Sequence, residues 1–134
     1  MLDRSIQPLI REPEQLAVPS PECRVMKNGI PLYILNAGDN EVVRIDLLIE
    51  GGRWQQSQRL QALFTNRMLR EGTRRYSAAA IAEKLDYYGA WLELSSSSEY
   101  AYIILYSLNK YLPETLDVFE SIVKNLFSLK KSWE

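Results

Sequence analysis

The chain has 134 residues, 46% hydrophobic and 25% charged, an ordinary globular composition with enough residues for one domain and a buried core. Sixteen basic and seventeen acidic residues give a net charge of −1, which provides no electrostatic basis for nucleic-acid binding. The absence of histidine removes the commonest general base at neutral pH and the commonest zinc ligand, and the single cysteine, Cys23, excludes an internal disulfide.

Residues 1–21 carry four of the six prolines and are predicted to form an extended leader. The leader has no apolar segment of signal-peptide length, and no segment of the chain is long and apolar enough to span a bilayer. We therefore expect a cytoplasmic location, with the periplasm as the alternative if the N-terminus has been trimmed.

Three strands are predicted after the leader. The sequence CRVMKNGIPLYIL has apolar runs on both sides of Asn28-Gly29, a pair typical of a hairpin with a type I′ turn, which needs positive φ at both central residues. Cys23 lies in the first of these strands, where we expect it to be buried. Residues 41–50, EVVRIDLLIE, are predicted as the third strand, with the alternate apolar residues from Val43 to Leu47 on one face.

Two helices are predicted next, the first over about residues 57–71 and the second from the N-cap Ser77 to Gly89. The sequence WLELSSSSEYAYIILYSL is predicted as two strands joined by a turn at residues 97–99. Pro113 opens a final helix, whose apolar residues recur at helical spacing. These residues are Leu116, Phe119, Ile122, Val123, Leu126 and Phe127.

The order βββ-αα-ββ-α favours an antiparallel sheet covered by helices over a βαβ winding. We predict an α+β fold, a two-layer sandwich with a mostly antiparallel sheet and helices on one face. Residues 22–134 are assigned to one domain. Because the last helix has no glycine cap, we expect the chain to be the N-terminal part of that domain.

Several segments resemble the pitrilysin-like or insulinase-like zinc peptidases, a family that includes insulin-degrading enzymes and the mitochondrial processing peptidases. KNGIPLYIL is similar to the opening hairpin of that family, and DLLIEGGRW is similar to its third strand. ALFTNRMLREGTRRYSAAAIAEKLDYYGA resembles the central helix pair. ELSSSSEYAYIILYSL and LPETLDVFESIV resemble the strands and the helix that follow, so the similarity covers about residues 24–134 in the family's order.

Active members of this family carry His-x-x-Glu-His on the first central helix, where both histidines bind zinc and the glutamate is the general base for a zinc-bound water. The resemblance places the histidine positions at Leu63 and Arg67 and the base position at Asn66. Leucine offers zinc no lone pair, arginine is cationic, and asparagine does not accept a proton at a useful pH. The resemblance therefore implies a non-catalytic member without zinc or another cofactor, whose third ligand position would lie beyond Glu134.

Two interpretations of Asn66 and Arg67 remain open. Arg67 falls within the apolar stripe that Leu60, Leu63, Phe64 and Met68 form on a helical projection. In the favoured interpretation, Asn66 and Arg67 face the cavity that zinc occupies in active members and bond to neighbouring polar groups. In the other, Arg67 forms a structural ion pair or reaches a partner's substrate. We expect a carboxylate partner for Arg67, because an unpaired buried guanidinium is costly.

The strand after the second helix holds the remaining site candidates. In the family, an Asn-Ala pair lies there on the edge that pairs with substrate, and the matching positions are Glu93 and Leu94. Ser95 and Ser96 follow them on the same strand. An extended peptide can still add to this edge, because main-chain hydrogen bonds do not depend on side chains.

The leading hypothesis is a catalytically inactive homologue or subunit that pairs with an active, zinc-bearing copy to bind or enclose peptide substrates. The resemblance implies such a pair, because members commonly work in pairs of which only one copy holds zinc. The alternative is a structural or assembly subunit with no role in proteolysis, and the absence of histidine disfavours an enzyme of altered chemistry. The expected partners are the active homologue, a peptide and, through exposed sheet edge, a second copy of the chain.

Overall fold

The structure is a computed structural model that describes residues 19–124. Its elements run in the order β1 (Glu22–Val25), β2 (Pro31–Ile34), β3 (Val42–Glu50), α1 (Gln61–Arg67), α2 (Ala78–Tyr87), β4 (Trp91–Ser96), β5 (Tyr100–Leu108) and α3 (Leu112–Lys124). Short 3-10 turns follow α1 at Met68–Arg70 and precede α3 at Asn109–Tyr111. This order confirms the βββ-αα-ββ-α prediction. Most of the predicted leader lies outside the described residues, as do Leu126 and Phe127, and the boundaries 1–21 and 22–134 stay predictions.

The contacts divide the chain into two compact units, residues 1–39 and residues 40–134. In the described part of the first unit, β1 and β2 form an antiparallel hairpin. Cys23 on β1 is exposed, so the expected burial of this cysteine is wrong. Burial would need a second layer, and the described part of this unit is a two-stranded sheet by itself.

The hairpin turn also differs from the predicted type I′ turn. The Gly29 N–H donates to the Met26 carbonyl oxygen at 2.9 Å, which makes Lys27 and Asn28 the central residues of the turn. Only Gly29 in this turn has a positive φ, 84°. The Asn-Gly pair therefore predicts the hairpin correctly, but its glycine takes the left-handed position after the turn, as in the longer hairpin loops that end in a bulge.

In the second unit, β3, β5 and β4 form an antiparallel sheet in that spatial order. Leu47 on β3 and Leu94 on β4 both lie opposite Ile103 on β5. Because successive side chains point to opposite faces, this register brings apolar residues of all three strands onto one face. Burial alternates strictly along β3, which confirms the predicted inward face from Val43 to Leu47.

The helices cover that face of the sheet. Ile103 is 0% exposed at the centre, where β5 packs against α2 and α3. In α3, Phe119 and Ile122 are buried, whereas Leu116 is exposed and Val118 lies in the core. The described part of the second unit is therefore α+β, with a sheet layer and a helix layer, as predicted. None of the helices within residues 19–124 is long and apolar enough to cross a membrane.

The two central helices differ in how well their starts are predicted. Ser77 is the N-cap of α2, and its hydroxyl accepts a hydrogen bond from the Ala80 N–H at 3.2 Å, as predicted. The first helix begins at Gln61 rather than near residue 57, because Leu60 has a left-handed backbone with φ of 68°. That conformation costs a residue other than glycine roughly 1–2 kcal/mol.

A polar cluster joins the segment before α2 to α3. The Arg75 Nη1 lies 2.8 Å from the Asp117 Oδ1, and the Tyr76 hydroxyl donates to the Asp117 Oδ2 at 2.5 Å. The hydrogen bond from Tyr76, followed by that from Arg75, lowers the pKa of Asp117 below its ordinary value. A depressed carboxyl pKa stabilises the fold above the ordinary pKa of about 4, and this contribution is lost as the pH falls through the folded-state value.

We therefore expect Asp117→Asn to lower the thermal midpoint at neutral pH and to converge with the wild type as the pH falls below about 4. Circular dichroism melts over a pH series measure both midpoints. Asp86→Asn is the matched control, because Asp86 is an exposed carboxylate that forms no ion pair with a residue of the described range. A difference between Asp117→Asn and the wild type that is the same at pH 3 and pH 7 would contradict the expected role of the charge.

Candidate functional site

Asn66 is the residue that the family resemblance places at the general-base position, and it is only 3% exposed. Its Nδ2 donates to the carbonyl oxygens of Ser95 at 2.8 Å and Tyr102 at 3.2 Å. One side-chain amide thus ties α1 to both β4 and β5. Its Oδ1 is also buried and accepts no hydrogen bond from a residue within the described range.

Asn66 also lines a cavity of about 250 Å³ between α1, the end of β3 and β5. The polar side chains around this cavity are the amides of Gln55, Gln56, Gln61 and Asn66 and the hydroxyl of Thr65. No carboxylate, thiol or imidazole is among the residues that line it. The favoured interpretation of Asn66, a side chain that lines a cavity and bonds to polar neighbours, agrees with this arrangement.

Arg67 does not face the cavity as the favoured interpretation expects, and whether it reaches a partner's substrate stays a prediction. It is exposed, and none of the ion pairs between described residues includes it. The expected carboxylate partner is therefore not found among residues 19–124, and a guanidinium in solvent needs no protein partner. The inward side of this segment is formed by Ala62, Asn66 and Leu69, so the predicted apolar stripe is not the buried face, and Phe64 within it is 58% exposed.

Leu63 is the residue that the resemblance places at the first histidine position of the family motif, and it is half-buried on α1. The resemblance thus places an alkyl group, an amide and a solvent-exposed guanidinium at the three motif positions. None of these groups is a usual zinc ligand, so the three side chains do not fit zinc. Within residues 19–124, no three histidine, cysteine, aspartate or glutamate side chains come together in a group that could hold a metal ion.

The edge candidates lie on β4, an outer strand of the described sheet that pairs with β5 on one side. Glu93 is exposed, whereas Leu94 is 9% exposed and packs in the core. Ser95 and Ser96 are half-buried, and the Ser95 carbonyl oxygen is fixed to α1 by Asn66. The four residues therefore share one strand, but only Glu93 and Ser95 lie on the face opposite the helices.

That opposite face carries a row of three side chains at one end. The rings of Trp91 and Tyr106 stack with centroids 4.4 Å apart, and the Arg44 guanidinium lies 5.4 Å from the Tyr106 centroid. The hydrogen bond to Asp46 raises the pKa of Arg44, and the charge of Glu93 acts in the same direction. The exposed end of the sheet is thus held by ring stacking between β4 and β5 and by a cation–π contact between β3 and β5.

A second cavity, of about 490 Å³, lies between the start of α1 and β4. We call it the arginine cavity, because two guanidinium groups line it. Its lining residues are Arg53, Gln56, Arg59, Leu60, Leu63 and Ser96. The fold thus brings together two of the predicted site residues, Leu63 of the motif helix and Ser96 of the edge strand.

The two arginines were missed as site residues, although the sequence carries a signal for them. Residues 51–82 contain six arginines and one glutamate, whereas the rest of the chain contains ten basic and sixteen acidic residues. A nearly neutral net charge conceals this asymmetry, and a count by segment recovers it.

Residues 33–132 match the family model described as insulinase, peptidase family M16. Among solved structures, a peptidase M16 inactive domain from Pseudomonas fluorescens is similar, with 23% identity, a TM-score of 0.67 and coverage of 78% of this chain and 26% of that one. A protease from Helicobacter pylori is similar at 17% identity with a TM-score of 0.66, covering 82% of this chain and 27% of that one. The chain thus spans about a quarter of the length of both structures. No curated protein sequence gives a significant match.

Proposed function

The chain belongs to the insulinase family, peptidase family M16, and on this premise we propose that it is a non-catalytic homologue or subunit that pairs with an active, zinc-bearing copy to bind or enclose peptide substrates. The observation that carries the proposal is the state of Asn66. At the position that the resemblance assigns to the general base of active members, this chain has a buried amide whose Nδ2 donates to two strand carbonyl oxygens. A group held in this way bonds the helix to the sheet and takes no proton from water.

Two further observations support a role in peptide handling without hydrolysis. A solved domain with the same fold is described as inactive, so a non-catalytic domain has a precedent in this family. The outer strand β4 supplies main-chain groups on an edge that an extended peptide can join. Neither observation requires zinc in this chain.

The test is co-purification with a homologue that retains His-x-x-Glu-His, for which the neighbouring reading frames are the first source. We expect a stable complex, no peptide hydrolysis by this chain alone, and faster hydrolysis by the homologue when this chain is present. Elemental analysis of each isolated chain is expected to find stoichiometric zinc in the homologue only.

Three outcomes would contradict parts of this proposal. A homologue that is fully active alone and never binds this chain removes the proposed pairing. A complex in which hydrolysis is the same with and without this chain favours the structural or assembly role. Stoichiometric zinc in this chain by itself overturns the non-catalytic assignment.

A further inference from the structure

We propose that the arginine cavity binds a carboxylate of an extended peptide that lies along β4. This inference rests on the proposed peptide-handling function and adds the chemical class of peptide that the site prefers. It is carried by three features of the cavity: guanidinium groups without a carboxylate partner among the described residues, a position beside the outer strand, and a backbone that is fixed at Arg53.

No carboxylate among the described residues neutralises the two guanidinium groups of the cavity. Neither Arg53 nor Arg59 takes part in an ion pair with another residue of the described range. Arg53 donates one hydrogen bond, from its Nη2 to the Ser98 Oγ at 3.0 Å, so its other N–H groups remain for a ligand. A guanidinium presents paired donors that match a carboxylate, and such charge-assisted bonds are stronger than neutral ones.

The apolar part of the lining strengthens this preference. Leu60 and Leu63 lie beside the two guanidinium groups in the same cavity. The cavity is open to solvent, and these apolar side chains offer the aliphatic part of an acidic side chain a surface to pack against. The surrounding segment reinforces the attraction, because residues 51–82 carry six arginines and a single glutamate.

The position of Ser96 connects the cavity to the proposed peptide site. Ser96 is the last residue of β4 and lines the cavity, so the cavity opens beside the end of the outer strand. Strands in a sheet lie about 4.8 Å apart, and side chains of an added strand point alternately to the two faces. An acidic side chain, or the C-terminal carboxylate, of a peptide added along the end of β4 would therefore lie beside the cavity that the arginines line.

The backbone that carries both arginines is held in place. The Arg53 N–H donates to the Ser97 carbonyl oxygen at 3.1 Å, and the Trp54 N–H donates to that of Ser98 at 2.9 Å, which fixes this loop to the turn between β4 and β5. Arg59 directly precedes Leu60, whose left-handed φ of 68° redirects the chain into α1. Strained residues of this kind cluster at functional sites, and the fixed backbone and side-chain bond of Arg53 lower the entropy that this charge loses on binding.

The experiment measures binding of fluorescently labelled extended peptides by anisotropy, for the full chain alone and for its complex with the active homologue. Matched peptides differ only in a central glutamate or glutamine, and in a free or amidated C-terminus. We expect the peptide with a carboxylate to bind about tenfold more tightly than its neutral counterpart. A preference in the glutamate and glutamine peptides indicates a side-chain carboxylate, and a preference in the free and amidated peptides indicates the C-terminal carboxylate. The preference is expected to shrink at high salt.

Arg59→Gln is the principal variant, because Arg59 is exposed and forms no ion pair in the described range, so its replacement leaves the fold intact. It is expected to remove most of the preference and leave binding of the neutral peptide unchanged. Arg53→Lys keeps the charge but loses the paired donors, so we expect an intermediate loss of the preference for the carboxylate peptide. Arg70→Gln is the matched control, since Arg70 lies in the same basic segment and does not line this cavity.

The outcomes separate this inference from the proposed function. Equal binding of acidic and neutral peptides overturns the carboxylate site and leaves peptide handling intact. An equal loss in Arg59→Gln and Arg70→Gln also overturns it, because general charge attraction then explains the preference. Absence of binding by any peptide, to the chain and to the complex, overturns both.

Discussion

Asn66→Asp is expected to lower the free energy of unfolding by about 3 kcal/mol, although the two side chains have nearly the same shape. Asn66 is 3% exposed and donates to the carbonyl oxygens of Ser95 and Tyr102. The aspartate carboxylate has no hydrogen to donate, so it would face two acceptor oxygens with a buried charge. Urea titration of both proteins measures the loss as a lower midpoint with an unchanged slope.

Arg67→Gln provides the matched control, because it removes a charge from the adjacent motif position on the solvent side of α1. Its effect on the free energy of unfolding is expected to stay within about 0.5 kcal/mol. Asn66→Glu, which restores the residue type of the family's general base, is expected to destabilise the protein for the same reason as Asn66→Asp. Unchanged stability in Asn66→Asp would show that the helix-to-sheet bonds contribute little and that this position still accepts a carboxylate.

The consequence is that Asn66, at the position that the resemblance assigns to the general base, has a structural role in this chain. If the amide at Asn66 stabilises the packing of α1 on the sheet, a single substitution cannot restore a general base without loss of stability. The proposal of a non-catalytic subunit then gains support from the bonds that Asn66 forms with the sheet.

The fold was largely predictable because its signals are local. Alternation along β3, the apolar runs around Asn28-Gly29 and the cap at Ser77 each depend on residues close in sequence, and each is found at or within a few residues of the predicted place. The turn between β4 and β5 lies at the predicted residues 97–99 because polar residues interrupt two apolar strands.

The orientation of α1 was not predictable from periodicity alone. The large apolar residues Leu60 and Phe64 are exposed, while the small Ala62 and the polar Asn66 face the sheet. A helical projection ranks faces by hydrophobicity, but a close approach between helix and sheet favours a small residue, and strand carbonyl oxygens within reach favour an amide. Both requirements come from β4 and β5, which lie later in the sequence.

The arginine cavity was missed for a related reason. Arg53 belongs to the loop after β3, Arg59 precedes α1, and Ser96 comes from β4. No spacing rule links a loop to a strand that lies beyond two helices. Their proximity follows from the pairing of the loop with the turn between β4 and β5, which is a tertiary feature.

Gly52 is the residue that permits this pairing, so Gly52→Ala is expected to lower the free energy of unfolding by about 3 kcal/mol. A Cβ at this position would lie 2.4 Å from the Glu99 carbonyl carbon and 2.5 Å from the Ser98 carbonyl oxygen. Both are backbone atoms, so no side chain can move aside to relieve the overlap, and the Gly52 N–H to Glu99 bond of 2.9 Å would have to lengthen. Thermal and urea unfolding measure the loss.

Gly51→Ala is the matched control, because a Cβ on Gly51 would meet only the Ile49 Cγ2 at 4.0 Å, an ordinary contact. It is expected to change the free energy of unfolding by less than about 1 kcal/mol, since the neighbouring glycine has room for a methyl group. If both variants are equally stable, the loop is not fixed to the β4–β5 turn. If Gly52→Ala alone loses stability, the same variant is expected to weaken the preference for carboxylate peptides, because Arg53 is positioned by the bonds that the added methyl group displaces.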